Sequence, residues 1–304
     1  MSTRASSNLS VPLSGLAPPS FVRVLFARVE PWVALAKPGV TRLVLVTTLF
    51  GGLVAPGHLS LGAWLVTLAG TALVVAAANA LNMAQEVDID ALMTRTSQRP
   101  LPQGLLAAPP VVRAALIAAV LGTLALCTVQ LLSAALGLLA LVSYVWVYTP
   151  LKRITPHALY VGAVPGAIPP LIGYASVSGQ LDARALTLFT LLAVWQVPHF
   201  LAIATFRQAE YARAGLPVFT VCRSQSDVRR LMFVWSVGLF AVSLAPIGLG
   251  MGGTLYAALA VGFGLPFLLG AAYGLRAQAD VRWARSLFFA SMPHLVALFV
   301  GLAL

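Results

Sequence analysis

The sequence predicts an all-α, polytopic membrane protein with nine transmembrane helices, and three observations predict it. Of its 304 residues, 60% are hydrophobic and 9% charged, whereas a soluble domain carries about 25% charged residues. Apolar runs near 20 residues, the length a helix needs to cross a bilayer core, recur along the chain. The polar connections alternate in charge, so that of the 19 Lys and Arg only Arg184 falls on one side. A soluble enzyme, a disordered chain and a disulfide scaffold are thereby excluded. The net charge of +11 reports topology, not nucleic-acid binding. Two cysteines make no disulfide framework, and Cys127, inside an apolar run, is expected to be a buried small side chain.

Residues 1–39 are rich in Ser and Pro, carry Arg4, Arg23 and Arg28, and lack the apolar core of a signal peptide. They are expected to form a flexible cytoplasmic N-terminal tail, with a mitochondrial transit peptide as the alternative. Residues 40–304 form the membrane domain, with spans at about 40–56, 61–84, 111–130, 133–150, 158–177, 186–206, 231–250, 254–274 and 285–304. The positive-inside rule puts the N-terminus and the long loops in the cytoplasm and the C-terminus outside. One helix more or fewer would scramble the alternation, so the charge pattern supports an odd number of spans.

Eight acidic residues are few enough for their placement to inform. Three of them, Glu86, Asp88 and Asp90, end span two, and Glu210 follows span six. A carboxylate at the centre of a membrane helix costs roughly 2.5–3.5 kcal/mol on insertion scales, so such a group belongs at a helix end. In Asn79-Ala-Leu-Asn82-Met-Ala-Gln-Glu86-Val-Asp88-Ile-Asp90, positions 82, 86 and 90 share one helical face, Asn79 joins it, and Asp88 points elsewhere. Oxygen-bearing side chains stacked in this way make a hard-cation site of the kind Mg²⁺ takes, usually together with substrate phosphates. A solvated helix end with ordinary topological charges is the plainer alternative.

Spans two and six end on the same side, so their acidic loops can meet. Lys37-Pro38 before span one and Lys152-Arg153 before span five stand four helices apart, which hints at a duplication of spans one to four in five to eight. Acids with Lys and Arg nearby suit a diphosphate, because Arg matches phosphate oxygens bidentately and Lys acts as a point charge. Span five, Gly162-Ala-Val-Pro165-Gly166-Ala-Ile-Pro169-Pro170-Leu-Ile-Gly173, is dense enough in Gly and Pro to be broken; close packing and a cavity lining both explain it. Of the histidines, His58 lies on an outer loop and His294 at the middle of span nine.

At these motifs the chain resembles the protoheme IX farnesyltransferases, the heme O synthases of the intramembrane prenyltransferase superfamily. The acidic segment with Arg95-Thr96-Ser-Gln-Arg99-Pro100 looks like the superfamily's first motif. More specific are Tyr148-Thr149-Pro-Leu-Lys152-Arg153-Ile-Thr155-Pro156, the Gly166–Gly173 run, Trp195-Gln196-Val-Pro198-His199-Phe200, and Tyr211-Ala-Arg-Ala214-Gly215-Leu-Pro217. The resemblance covers about residues 34–300.

The resemblance implies nine helices around a central cavity open to the cytoplasmic side, in a bacterial inner membrane. It implies transfer of the farnesyl group of farnesyl diphosphate to a vinyl group of heme b, with Mg²⁺ as cofactor and the lipid bilayer as surroundings. A heme A synthase or terminal-oxidase assembly is the candidate protein partner. Carried over by position, Asn82, Glu86, Asp90, Lys152 and Glu210 are catalytic. Metal ligands would come from Asn82, Glu86, Asp88, Asp90 and Glu210. Lys37, Asn79, Arg95, Arg99, Arg153, His199, Arg207 and Tyr211 would bind substrate, His199 as a contact to heme or as a packing residue. Glu86 and Glu210 stand where the family usually has Asp, and Gly39 where it usually has Arg. Two alternatives stay open: a prenyltransferase acting on an aromatic quinone precursor, and an ion-coupled transporter, whose acids would lie nearer the bilayer midplane.

Overall fold

A computed structural model describes residues 21–276 and 280–304. Of the segment expected as a flexible tail, residues 1–20 lie outside the described residues, while Phe21–Leu35 forms a helix, α1. It meets α2 (Pro38–Val54) through Lys37, whose left-handed backbone (φ 46°) sets the two helices at a 48° bend.

After Ser60, which caps the amide of Ala63, α3 (Leu61–Gln85) runs on to the short α4 (Val87–Leu92). The next span is α5 (Ala108–Val129), and α6 (Leu131–Val142) continues through a π-helical turn over Ser143–Tyr148 into α7 (Thr149–Leu151). The expected break in span five occurs at Ile168, where Pro169 and Pro170 part α8 (Ala158–Ala167) from α9 (Pro169–Ser178). Asp182 accepts from the amides of Arg184 and Ala185 to start α10 (Ala183–Phe206), which the short helices α11 (Gln208–Arg213) and α12 (Phe219–Cys222) follow. The chain closes with α13 (Gln225–Gly248), α14 (Thr254–Tyr273) and α15 (Val281–Ala303).

Eight of these helical stretches are long and apolar enough to cross a membrane, and the bent α1–α2 pair makes a ninth. Nine spans are thus borne out, with different edges. α13 and α15 begin several residues before the expected starts, because Ser224 and Asp280 cap polar first turns that hydropathy does not mark.

Small residues set the closest crossings, as they do wherever helices meet without a hydrophobic drive between them. A Cβ at Gly173 of α9 would collide with the Thr48 carbonyl of α2, and one at Gly122 of α5 would stand 2.8 Å from the Gly70 carbonyl of α3. Of the apolar windows, those of α8–α9 and α10 are 67% and 61% buried, against 22–28% for α3, α5, α13 and α14, so the former are the hub and the latter the lipid-facing rim. Cys127 sits on that rim, exposed on α5, which corrects the expectation of burial: nothing in the sequence says which face of an all-apolar helix meets lipid.

The duplication hinted at by the loop sequences recurs in the backbone. α3 gives way to α4 at Glu86 (φ −118°, ψ 17°), and α10 to α11 at Arg207 (φ −116°, ψ 16°). Each joint is followed by a six-residue helix.

Candidate active site

The polar ends of α3, α7 and α10 lie on one side of the bundle. Asn79 is held there by a bond from its Nδ2 to the Ala36 carbonyl (3.2 Å). Lys37 Nζ donates to Asn82 Oδ1 (3.0 Å), and Asn82 Nδ2 donates to Glu86 Oε2 (2.9 Å) and Thr149 Oγ1 (3.1 Å). Lys152 Nζ stands 2.6 Å from each carboxylate oxygen of Glu86. Arg99 reaches back from its loop to Asp90 Oδ2 at 2.6 Å, and that loop is pinned where Thr96 bonds the Asp90 carbonyl. Asn79, Asn82, Glu86 and Asp90 are all buried.

The helix expected to carry residues 82, 86 and 90 on one straight face is broken at Glu86. Aligned carboxylates at i and i+4 repel, and the joint instead sends each to its own cation. Asp88 turns outward, its side chain 67% exposed, and pairs bidentately with Arg153 at 2.8 and 2.9 Å. That hydrogen-bonded guanidinium holds the Asp88 carboxyl below its usual range. Arg153 also bonds the last-turn carbonyl of Gln85, tying the α7 loop to the end of α3.

The second loop lies against the first. Ile89 and Met93 bury themselves with Leu216, and Tyr211, Ala214 and Val218 pack around them. Glu210 Oε1 accepts from Arg207 at 2.7 Å, while its Oε2 is buried without a hydrogen-bond partner. Arg95 remains exposed on its loop and Arg213 reaches Thr94. Among the described residues, no three His, Cys, Asp or Glu side chains converge as a ready-made metal centre. Glu86, Asp88, Asp90 and Glu210 each stand within 3 Å of a cation.

Three groups beyond the expected set complete the site. The π-helical turn, a feature often found at functional positions, stacks Tyr144 on Tyr148 (centroids 5.5 Å apart) and aims Thr149 at Asn82. Lys152 Nζ lies 5.6 Å from the Tyr148 ring centre. Tyr148 and Thr149 stand in a motif the sequence singled out, but a π turn has no composition signal that would assign them these contacts.

His199 lies about two turns of α10 inward from Arg207. Its Nδ1 is 2.7 Å from Ser291 Oγ of α15, and Ser291 donates its own hydroxyl to the Phe288 carbonyl (2.6 Å). His199 Nδ1 is therefore the donor of that pair, which leaves Nε2 with a lone pair. Trp195 stacks on the ring at 4.4 Å. His58 is exposed on its loop, and His294 is buried beside Phe267 with neither ring nitrogen hydrogen-bonded.

The fold and site define an intramembrane protein, a bundle of apolar helices with carboxylates paired to Lys and Arg gathered at one end. Residues 44–292 match the UbiA prenyltransferase family. The chain belongs to that family: it is a multi-pass membrane protein and a prenyltransferase. A relative from Myxococcus xanthus, named protoheme IX farnesyltransferase, is 44% identical over 276 residues, covering 90% of this chain and 93% of its own. Among solved structures, a digeranylgeranylglyceryl phosphate synthase superposes with a TM-score of 0.77 at 14% identity, covering 91% of this chain and 99% of its own. A UbiA homologue from Archaeoglobus fulgidus, bound to GPP and Mg²⁺, does so at 0.66 and 14%, covering 90% and 100%. At such identities these two likenesses bear on the fold.

Proposed function

We propose that this protein transfers the farnesyl group of farnesyl diphosphate to a vinyl group of heme b, giving heme O. The observation that carries the headgroup half of this reading is the cluster of Lys37, Arg99, Lys152 and Arg207, bonded in turn to Asn82, Asp90, Glu86 and Glu210. A diphosphate offers these cations better-charged oxygens than the side chains they now hold, and Arg153 stands one loop position away to join them. The name of the 44% identical relative supports the acceptor half.

Asn82, Glu86, Asp90 and Glu210 present hard oxygen donors, with Glu210 Oε2 buried and unsatisfied, a set that fits Mg²⁺. When bound there, the ion would stabilise the negative charge that develops on the departing diphosphate. Asp88, which points outward, would take no direct part. Lys37, Arg99 and Lys152 would bind the same oxygens and hold the headgroup in one orientation. As the carbon–oxygen bond of the allylic ester lengthens, its electron pair leaves with the diphosphate. Tyr144 and Tyr148 form an apolar wall that keeps water from the cation left behind. The vinyl electron pair then closes the new carbon–carbon bond, and water adds to the resulting cation with loss of one proton. His199, held by Ser291 with Nε2 open, would face the heme.

Orientation follows the positive-inside rule, with the N-terminus and the site in the cytoplasm of a bacterial cell, the C-terminus outside, and residues 40–304 acting as one catalytic domain. The test is incubation of purified protein with heme b, farnesyl diphosphate and Mg²⁺, followed by mass analysis for hydroxyethylfarnesyl heme. Formation of a prenylated 4-hydroxybenzoate in a parallel incubation, with heme b untouched, would assign a quinone-pathway acceptor.

A further inference from the structure

We propose that the groove where α13 meets the end of α14, on the same side of the bundle as the polar cluster, binds an anionic phospholipid. Ser226, Arg229, Arg230, Phe233, Val234 and Leu275 line it. The four-residue spacing stacks Arg229 over Phe233 and Arg230 over Val234, with guanidiniums at the helix end and apolar side chains one turn deeper. Arg229 is half-buried; Arg230 is 74% exposed, with Asp227 at 3.9 Å. Val234 and Leu275 are exposed large hydrophobics, and Arg276 directly follows Leu275.

The order of these groups along the bilayer normal selects the occupant. α13 belongs to the rim, with 28% of its apolar window buried, so Phe233 and Val234 stand at acyl-chain depth while the arginines stand at the headgroup boundary. Guanidinium forks match phosphate oxygens, and basic pockets between membrane helices favour anionic headgroups. A free phosphate would use the arginines and leave the apolar wall idle; an amphiphile uses both. The proposed reaction assigns no role to Arg229 or Arg230, so this inference is independent of it.

Native mass spectrometry of the full-length protein, delipidated in neutral detergent and titrated with phosphatidylglycerol or phosphatidylcholine of identical chains, tests it. Phosphatidylglycerol should be retained at about tenfold lower concentration, and the double variant Arg229→Gln/Arg230→Gln should lose that preference. Arg184→Gln, on the opposite side, should keep it. Arg230→Gln alone, on a mostly exposed side chain, should weaken retention about threefold, which keeps the test open if the double variant does not fold. Equal retention of the two lipids by the unaltered protein, full preference in the variants, or displacement of the lipid by millimolar inorganic phosphate would each overturn the proposal.

Discussion

Glu86 carries the heaviest electrostatic duty of any residue in the cluster, because Asn82 and Lys152 both bond its carboxylate. Glu86→Gln keeps the shape and removes the charge, leaving the Lys152 ammonium beside a neutral amide. Prenyl transfer should fall by at least about 10²-fold, the scale of losing one preorganised electrostatic contact, with the protein still inserted and eluting normally. Activity at the unaltered level in this variant would remove Glu86 from the chemistry. Asp88→Asn breaks an exposed pair of the kind worth about 0–1 kcal/mol and should cost little turnover; a collapse as deep as that of Glu86→Gln would place Asp88 among the working ligands. Chelation by EDTA should stop turnover and Mg²⁺ should restore it, and turnover indifferent to both would count against the ion. Asn82, Glu86 and Asp90 were legible in the sequence because acids are too costly in lipid to be placed idly. Their partners were not: pairing Asp90 with Arg99 and Glu86 with Lys152 requires knowing that the helix breaks at Glu86, and Gln-Glu-Val-Asp contains neither Gly nor Pro to announce it.

Helices here are fixed more by their ends and crossings than by their apolar length. Asp182 caps α10 and also accepts from Tyr174 of α9 through both carboxylate oxygens (2.8 Å each), so one side chain joins two spans. Asp182→Ala should lower stability by about 1–2 kcal/mol, read as a lower Tm in detergent, while turnover per folded molecule is unchanged. Loss of turnover without loss of stability would assign Asp182 to the chemistry instead. Span positions were legible from apolar runs, and the break in α8–α9 from its prolines. The π turn at Ser143–Tyr148 was not, since Ser-Tyr-Val-Trp-Val-Tyr reads as an ordinary apolar helix segment. Nor could hydropathy show that α10 is hub and α13 rim, because their apolar content is similar and only packing separates 61% from 28% buried.

Across the whole molecule, the sidedness of charge makes a topological prediction that two native thiols can check. Cys222 is the last residue of α12, on the side of Arg207, and Cys127 lies near the far end of α5; both are exposed. In a Cys127→Ala background, a membrane-impermeant maleimide should leave Cys222 unlabelled in intact cells and label it after permeabilisation. Labelling before permeabilisation would invert the orientation.

The matching joints at Glu86 and Arg207 share backbone angles to within two degrees yet carry opposite charge. Each joint is neutralised at home, Glu86 by Lys152 and Arg207 by Glu210, so a guest that binds at either must break an existing ion pair before it can form its own.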